Sequence, residues 1–127
     1  MKNPLVLCVD DDDAIRAFYL DLLGEEGYDV LSASSGSQAL DLLQSNRKAI
    51  DAAILDYELP GMNGFELAVR LKLHEPNLAI LMISGSTPEL DEMSPFVDAA
   101  MQKGAPIGDL LSGIEDLLAN RRSRMSS

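Results

Sequence analysis

Four short runs of the chain each end on a residue that can do chemistry. Leu5–Val9 runs into Asp10-Asp11-Asp12-Asp13, Ala52–Leu55 into Asp56, Leu78–Ile83 into Ser84, and the weaker run Val97–Gln102 into Lys103. Three carboxylates sharing one pocket repel one another unless protons or a cation compensate them. Ligation by carboxylates, a backbone carbonyl and waters suits Mg²⁺, which in turn recruits phosphate oxygens. A lysine and a hydroxyl facing that metal would supply the remaining phosphate contacts. Asp56 would then be a nucleophile, since carboxylates form acyl-phosphate intermediates. Each residue also has a plain structural reading. Asp10–Asp13 can complement a helix N-terminus, Asp56 can cap a strand and open a turn, Ser84 can begin a turn, and Lys103 can be a surface lysine.

Whether these residues meet depends on the elements that carry them. The apolar runs read as strands buried on both faces. Between them lie helical patterns. Ile15, Phe18, Tyr19, Leu22 and Leu23 share one helical face, with Gly24 and Gly27 bracketing the end. Tyr28–Ala33 is a second strand, and Ser34–Ser37 offers N-caps for a helix through Ala39, Leu40, Leu42 and Leu43 that ends near Asn46. After Asp56 the dipeptides Pro60-Gly61 and Asn63-Gly64 turn the chain into a helix carrying Phe65, Ala68, Val69 and Leu71, stopped by Pro76-Asn77. Thr87–Pro95 is the least readable stretch: Pro88 can start a helix, and Pro95 limits it to about two turns. A final helix opens at Pro106 and runs through Leu110, Leu111, Ile114, Leu117 and Leu118. Strand and helix alternate five times. That pattern predicts a doubly wound parallel sheet with helices on both faces and all strand C-termini on one edge.

Composition narrows the function. The chain has 127 residues, 46% hydrophobic and 24% charged, the profile of one globular domain. Its net charge of −11 argues against direct nucleic-acid binding. No apolar run approaches the roughly 18 residues of a membrane helix, and Met1-Lys2-Asn3 passes straight into the first strand with no secretory signal. The single Cys8 lies inside a core strand, which suits a reducing, cytoplasmic setting. With one cysteine and one histidine, His74, a cysteine- and histidine-rich zinc site is excluded. Arg121, Arg122 and Arg124 form the one basic cluster and read as a solvated tail or the start of a linker.

The residues together resemble the receiver domain of two-component response regulators over Pro4–Asn120. The match rests on Val9-Asp10-Asp11, on Leu55-Asp56-Tyr57-Glu58-Leu59-Pro60-Gly61-Met62-Asn63-Gly64, on Ser84-Gly85 and on Lys103. The resemblance implies a flavodoxin-like fold with strand order 2-1-3-4-5, whose fourth helix region Pro88 and Pro95 are expected to leave short or irregular in this chain. It implies that Asp56 takes a phosphoryl group from the phosphohistidine of a sensor histidine kinase or phosphotransfer protein, and that the domain signals through partner binding rather than as an enzyme. Asp10, Asp11, Asp56 and the Glu58 carbonyl would bind Mg²⁺. Lys103 would pair with phosphoryl oxygens, and Ser84 would move to the phosphate. Asp12 and Asp13 fall outside the matched pair and are assigned to the helix start. The receiver is expected over residues 1–120 and a tail or truncated linker over 121–127, in a stand-alone protein or one excised from a longer regulator.

Three departures from the family pattern stand out. Lys103 is followed by Gly104 where proline is usual, so a different loop path is expected, with the lysine contact kept. Ala100 takes the place of the aromatic residue three positions before the lysine. The fourth helix region carries two prolines. These changes leave open a degenerate receiver that acts as a phosphorylation-independent scaffold. A Mg²⁺-dependent phosphatase with an aspartyl nucleophile fits poorly, because Asp56-Tyr57-Glu58 is a poor match to the second acid such enzymes usually place close to the nucleophile and 127 residues leave no room for a cap. A dinucleotide-binding domain is excluded, since no glycine-rich loop follows the first strand.

Overall fold

The computed structural model describes residues 3–85 and 90–126. Five strands, β1 (Leu5–Val9), β2 (Asp29–Ala33), β3 (Ala52–Asp56), β4 (Ala79–Ser84) and β5 (Ala99–Gln102), alternate with helices α1 (Asp13–Glu25), α2 (Gly36–Ser45), α3 (Gly64–His74), α4 (Leu90–Met93) and α5 (Ile107–Ser126). The strands form one parallel sheet in the order β2-β1-β3-β4-β5, as expected. Burial follows position in the sheet. Every residue of β1 and β3 is buried, whereas the edge strands β2 and β5 are largely half-buried or exposed. This explains why the central strands read as continuous apolar runs and the edges do not.

Side chains alternate across the sheet, and two apolar cores result. Leu7, Val9, Ala53, Leu55, Ile80 and Met82 meet α2 and α3 on one face. Val6, Cys8, Ile54 and Leu81 meet Tyr19 and Leu23 of α1 and Leu110, Ile114, Leu117 and Leu118 of α5 on the other.

Capping fixes the helix starts next to the site. The Asp12 carboxylate accepts from the N–H groups of Ala14 and Ile15, so Asp12 ends the acidic loop and begins α1, in line with its assignment. Asn63 and Glu66 form a reciprocal capping box that starts α3. The fourth helix is a single turn, and the reading of Pro88 as its start lies outside the described residues.

Three sequence expectations need correction. Ile15 and Phe18, placed on the buried face of α1, are 38% and 44% exposed. They sit in the first turns of α1, beyond the strand ends, where they line an open cavity with Lys103 and Ile107 instead of a core. Leu67 of α3 is fully buried although it was not counted on the apolar face. Finally, the stretch after Asn120, read as a solvated tail or the start of a linker, is part of α5. The helix continues to Ser126, and Arg121 is buried rather than solvated. Its guanidinium donates to the Asn77 carbonyl at 2.6 Å and pairs with Asp51 at 3.2 Å. These partners lie at the sheet edge opposite Asp56.

Candidate functional site

At the carboxyl edge of the sheet β1, β3 and β4 deliver three adjacent polar residues. Asp10 follows β1 directly, and its N–H donates to the Ala33 carbonyl at 3.1 Å. Asp56 is the last residue of β3 and Ser84 the last of β4. All three are nearly buried, at 6%, 5% and 5% exposure. Lys103 follows β5, tied to β4 by an N–H bond to the Ser84 carbonyl at 2.7 Å. Parallel register therefore does what the sequence pattern predicted, bringing residues far apart in the chain to one edge.

Asp10, Asp11 and Asp56 each offer an oxygen within 4.8 Å of the others, a spacing that can hold a metal ion. Burial raises the pKa of Asp56 most, and the Asp10 carboxylate adds to the rise, against the pull of the Glu58 N–H and Lys103. Asp10 is likewise raised, first by burial, with the Asp12 N–H opposing and Asp11 contributing. Burial and mutual repulsion both make these carboxylates costly to keep ionised, a cost that a cation would relieve.

The groups around Asp56 are well defined. Glu58 N–H donates to Asp56 Oδ1 at 3.1 Å, and Lys103 Nζ stands 3.2 Å from the same oxygen. Lys103 also pairs with Glu58 Oε2 at 2.8 Å, and that bond lowers the Glu58 pKa and raises that of the lysine. The lysine contact is kept despite the missing proline: Gly104 takes φ +86°, a left-handed turn that suits glycine.

Sequence reasoning missed three supports. Arg16 donates to the Asp10 carbonyl at 2.7 Å and pairs with Asp13, anchoring the acidic loop from one turn into α1. Its position three residues after Asp13 was the available signal. Gly64, read only as a turn residue, is a close-approach residue. A Cβ there would lie 2.5 Å from the Asp56 carbonyl oxygen and 2.9 Å from the Tyr57 Cα. The pairing of the Glu58 side chain with Lys103 had no sequence signal, since it spans two loops. On the α3 side Phe65 and Phe96 meet edge to face at 6.2 Å between centroids, in the same core that Ala100 packs against.

The response regulator receiver domain model matches residues 6–105. The chain belongs to the response regulator receiver domain family. This receiver is 34% identical over 84 residues to sporulation initiation phosphotransferase F of Bacillus subtilis, covering 66% of each chain. It is 36% identical over 121 residues to response regulator MprA of a Mycobacterium species, covering 93% of this chain and 49% of that protein. A relative named autoinducer 1 sensor kinase/phosphatase LuxN, of Vibrio harveyi, matches at 31% identity over 86% of this chain. The receiver spans only 13% of LuxN's length. Among solved structures, a CheY-like receiver domain protein from Methanospirillum hungatei aligns with a TM-score of 0.86 at 28% identity, over 97% and 99% of the two chains. The response regulator TrrA of Thermotoga maritima, solved in complex with Mg(2+)-BeF, aligns with a TM-score of 0.81 at 29% identity over 90% and 98%. The flavodoxin-like fold expected from the sequence is that of these neighbours. Receiver domains are signalling domains rather than classical enzymes. They bind Mg²⁺ in an acidic pocket, and their relatives work with histidine kinases and phosphotransfer proteins. Among the described residues no helix is long and apolar enough to cross a membrane.

Proposed function

We propose that Asp56 of this receiver accepts a phosphoryl group from the phosphohistidine of a sensor histidine kinase or phosphotransfer protein in a Mg²⁺-dependent reaction, and that the phosphorylated chain signals by altered binding of an effector protein. The observation that carries this reading is the convergence on Asp56 of two further carboxylates, Asp10 and Asp11, and of the Lys103 ammonium 3.2 Å away. Such a set is costly as mere surface charge and useful for holding a phosphoryl group.

In this reaction an Asp56 carboxylate oxygen forms a bond to phosphorus. The P–N bond to the donor imidazole breaks, its electron pair stays on the imidazole nitrogen, and solvent supplies the proton. The Glu58 N–H fixes the carboxylate's rotation through Oδ1. Lys103 neutralises charge on the transferred group. The Ser84 hydroxyl moves to a phosphoryl oxygen and reports it to β4 and the α4 region. The residues that would hold Mg²⁺ are Asp10, Asp11 and Asp56, whose carboxylate oxygens lie within 4.8 Å of one another, together with the Glu58 backbone carbonyl. When bound, the ion screens the carboxylates from the incoming phosphoryl charge.

The receiver unit is taken as residues 1–120 together with the continuation of α5 that carries Arg121; no nucleic-acid or membrane contact is assigned to it. Its setting is taken as cytoplasmic, where a kinase domain can reach it. Treatment with acetyl phosphate and Mg²⁺, read by intact mass, tests the proposal. Wild type is expected to gain one phosphoryl group and Asp56→Asn none. No gain with either kinase-type or small donors would favour the scaffold alternative.

A further inference from the structure

Phosphoryl transfer to Asp56 engages only the backbone of Glu58, yet the Glu58 side chain lies closer to Lys103 than Asp56 does. Oε2 lies 2.8 Å from Lys103 Nζ, nearer than Asp56 Oδ1 at 3.2 Å. Oε1 accepts from the Gly85 N–H at 3.4 Å, a long and weak bond. One carboxylate thus spans a donor just beyond β4 and a donor just beyond β5. It does so at the surface, 52% exposed, and shares its lysine with the 5% exposed Asp56 side chain. An acyl phosphate on Asp56 brings anionic oxygens to the same lysine and the same N–H, and charge-assisted bonds of that kind are strong and geometrically specific. The ammonium has three N–H donors, but a phosphoryl group on Asp56 repels the neighbouring Glu58 carboxylate and competes with it for the lysine that the two acids share.

Resting on the phosphoacceptor reading of Asp56, we propose that the Glu58 carboxylate is a built-in surrogate for the phosphoryl group. It occupies Lys103 and the Gly85 N–H in the unphosphorylated protein and yields both when Asp56 is modified. Glu58 is a positioning residue, acting through Lys103. The exposure of the pair suits this role, since half-solvated ion pairs are cheap to open and the displaced carboxylate turns out into water. The surrogate orders Lys103 beside Asp56 in the resting state, and it makes the lysine's release part of every phosphorylation event.

Reach separates this role from a general effect of negative charge. Aspartate keeps the charge but is shorter by one carbon–carbon bond, about 1.5 Å, so from the same backbone position it cannot span both donors. The test compares wild type, Glu58→Gln, Glu58→Asp and Asp56→Asn as full chains. With acetyl phosphate below saturation and Mg²⁺, phosphoryl gain by intact mass is expected to be faster by about threefold in both Glu58 variants, the scale of a half-exposed ion pair. In the metal-free proteins without donor, the Gly85 amide resonance is expected to move in both variants. A Glu58→Asp rate equal to wild type with a faster Glu58→Gln would overturn the surrogate and leave charge repulsion. Equal rates in all three, or an unmoved Gly85 amide, would overturn it as well, with phosphorylation of Asp56 intact. If no chain but Asp56→Asn or none at all is modified, the phosphoacceptor reading itself fails and the surrogate falls with it.

Discussion

Arg121 reaches from the last turns of α5 to Asp51, with Nη1 3.2 Å from Oδ1, while the other Asp51 oxygen accepts the N–H of Leu5 at 2.8 Å. The pair closes the foot of the sheet, joining α5 to the residue just before β3 and to the first residue of β1. Truncating one partner of a pair this buried leaves the other carboxylate unmatched. Arg121→Ala is expected to lower stability by about 2 kcal/mol, less than a fully buried pair would cost, read as a lower urea midpoint. A chain ended at Asn120 should lose a similar amount. The rate of phosphoryl gain at Asp56, on the opposite edge, should stay at the wild-type value in both.

The acidic pocket carries a pH signature. Burial raises Asp10 and Asp56 above the ordinary 3.8. A carboxyl with a raised folded pKa holds its proton more tightly in the folded chain. Its stabilising contribution is therefore full below the unfolded value and lost as pH climbs through the folded one. At pH 7 the metal-free fold bears this cost. Asp56→Asn, which keeps an acceptor for the Glu58 N–H, is expected to raise the thermal midpoint of the metal-free protein by about 4 °C for each kcal/mol relieved. Millimolar Mg²⁺ should raise the wild-type midpoint and raise that of the variant less. Scanning calorimetry with and without chelator measures both.

Gly64 allows α3 to begin against the backbone of Asp56. With a Cβ 2.5 Å from the Asp56 carbonyl oxygen, Gly64→Ala must shift β3 or α3. We expect a loss of about 2 kcal/mol, typical of overpacking, together with slower phosphoryl gain because the nucleophile moves with its strand. A urea midpoint and an intact-mass time course test the two effects separately.

Cys8 is buried in β1, and burial pushes its thiol up to about 12. A thiol raised in this way stays neutral, and only the thiolate reacts quickly. In native buffer at pH 8 a disulfide reagent such as DTNB should modify Cys8 far more slowly than in urea, with the slow rate tracking global opening. Fast native modification would contradict the burial of β1.

Much of this was legible in the sequence because the decisive signals are periodic or punctual. Leu5–Val9 and Ala52–Leu55 announce central strands through unbroken apolarity, and each hands its polar residue to the same edge by the rule of parallel sheets. The edge strands gave weaker patterns because water reaches them. What escaped were relations between segments. Arg121 looked like tail charge because nothing in its neighbours reveals Asp51 and Asn77. Ile15 and Phe18 looked buried because helical spacing does not tell how far the sheet extends beneath a helix. Glu58 and Lys103 come from separate loops, so their pairing belongs to the fold alone. The change at Ala100 was visible, whereas the packing of Phe65 on Phe96 beside it was not.

The sheet keeps the two apolar cores apart: the side chains that pack on α2 and α3 are not those that pack on α1 and α5. The receiver is in this sense two half-proteins sharing one sheet. Drift in the Phe65–Phe96 side can retune one surface while Tyr19, Ile114 and the helices they anchor stay as they are. A library that diversifies one core with the other fixed should yield folded chains on either side, and chemistry at Asp56, set on the rim between them, is the property both halves must preserve.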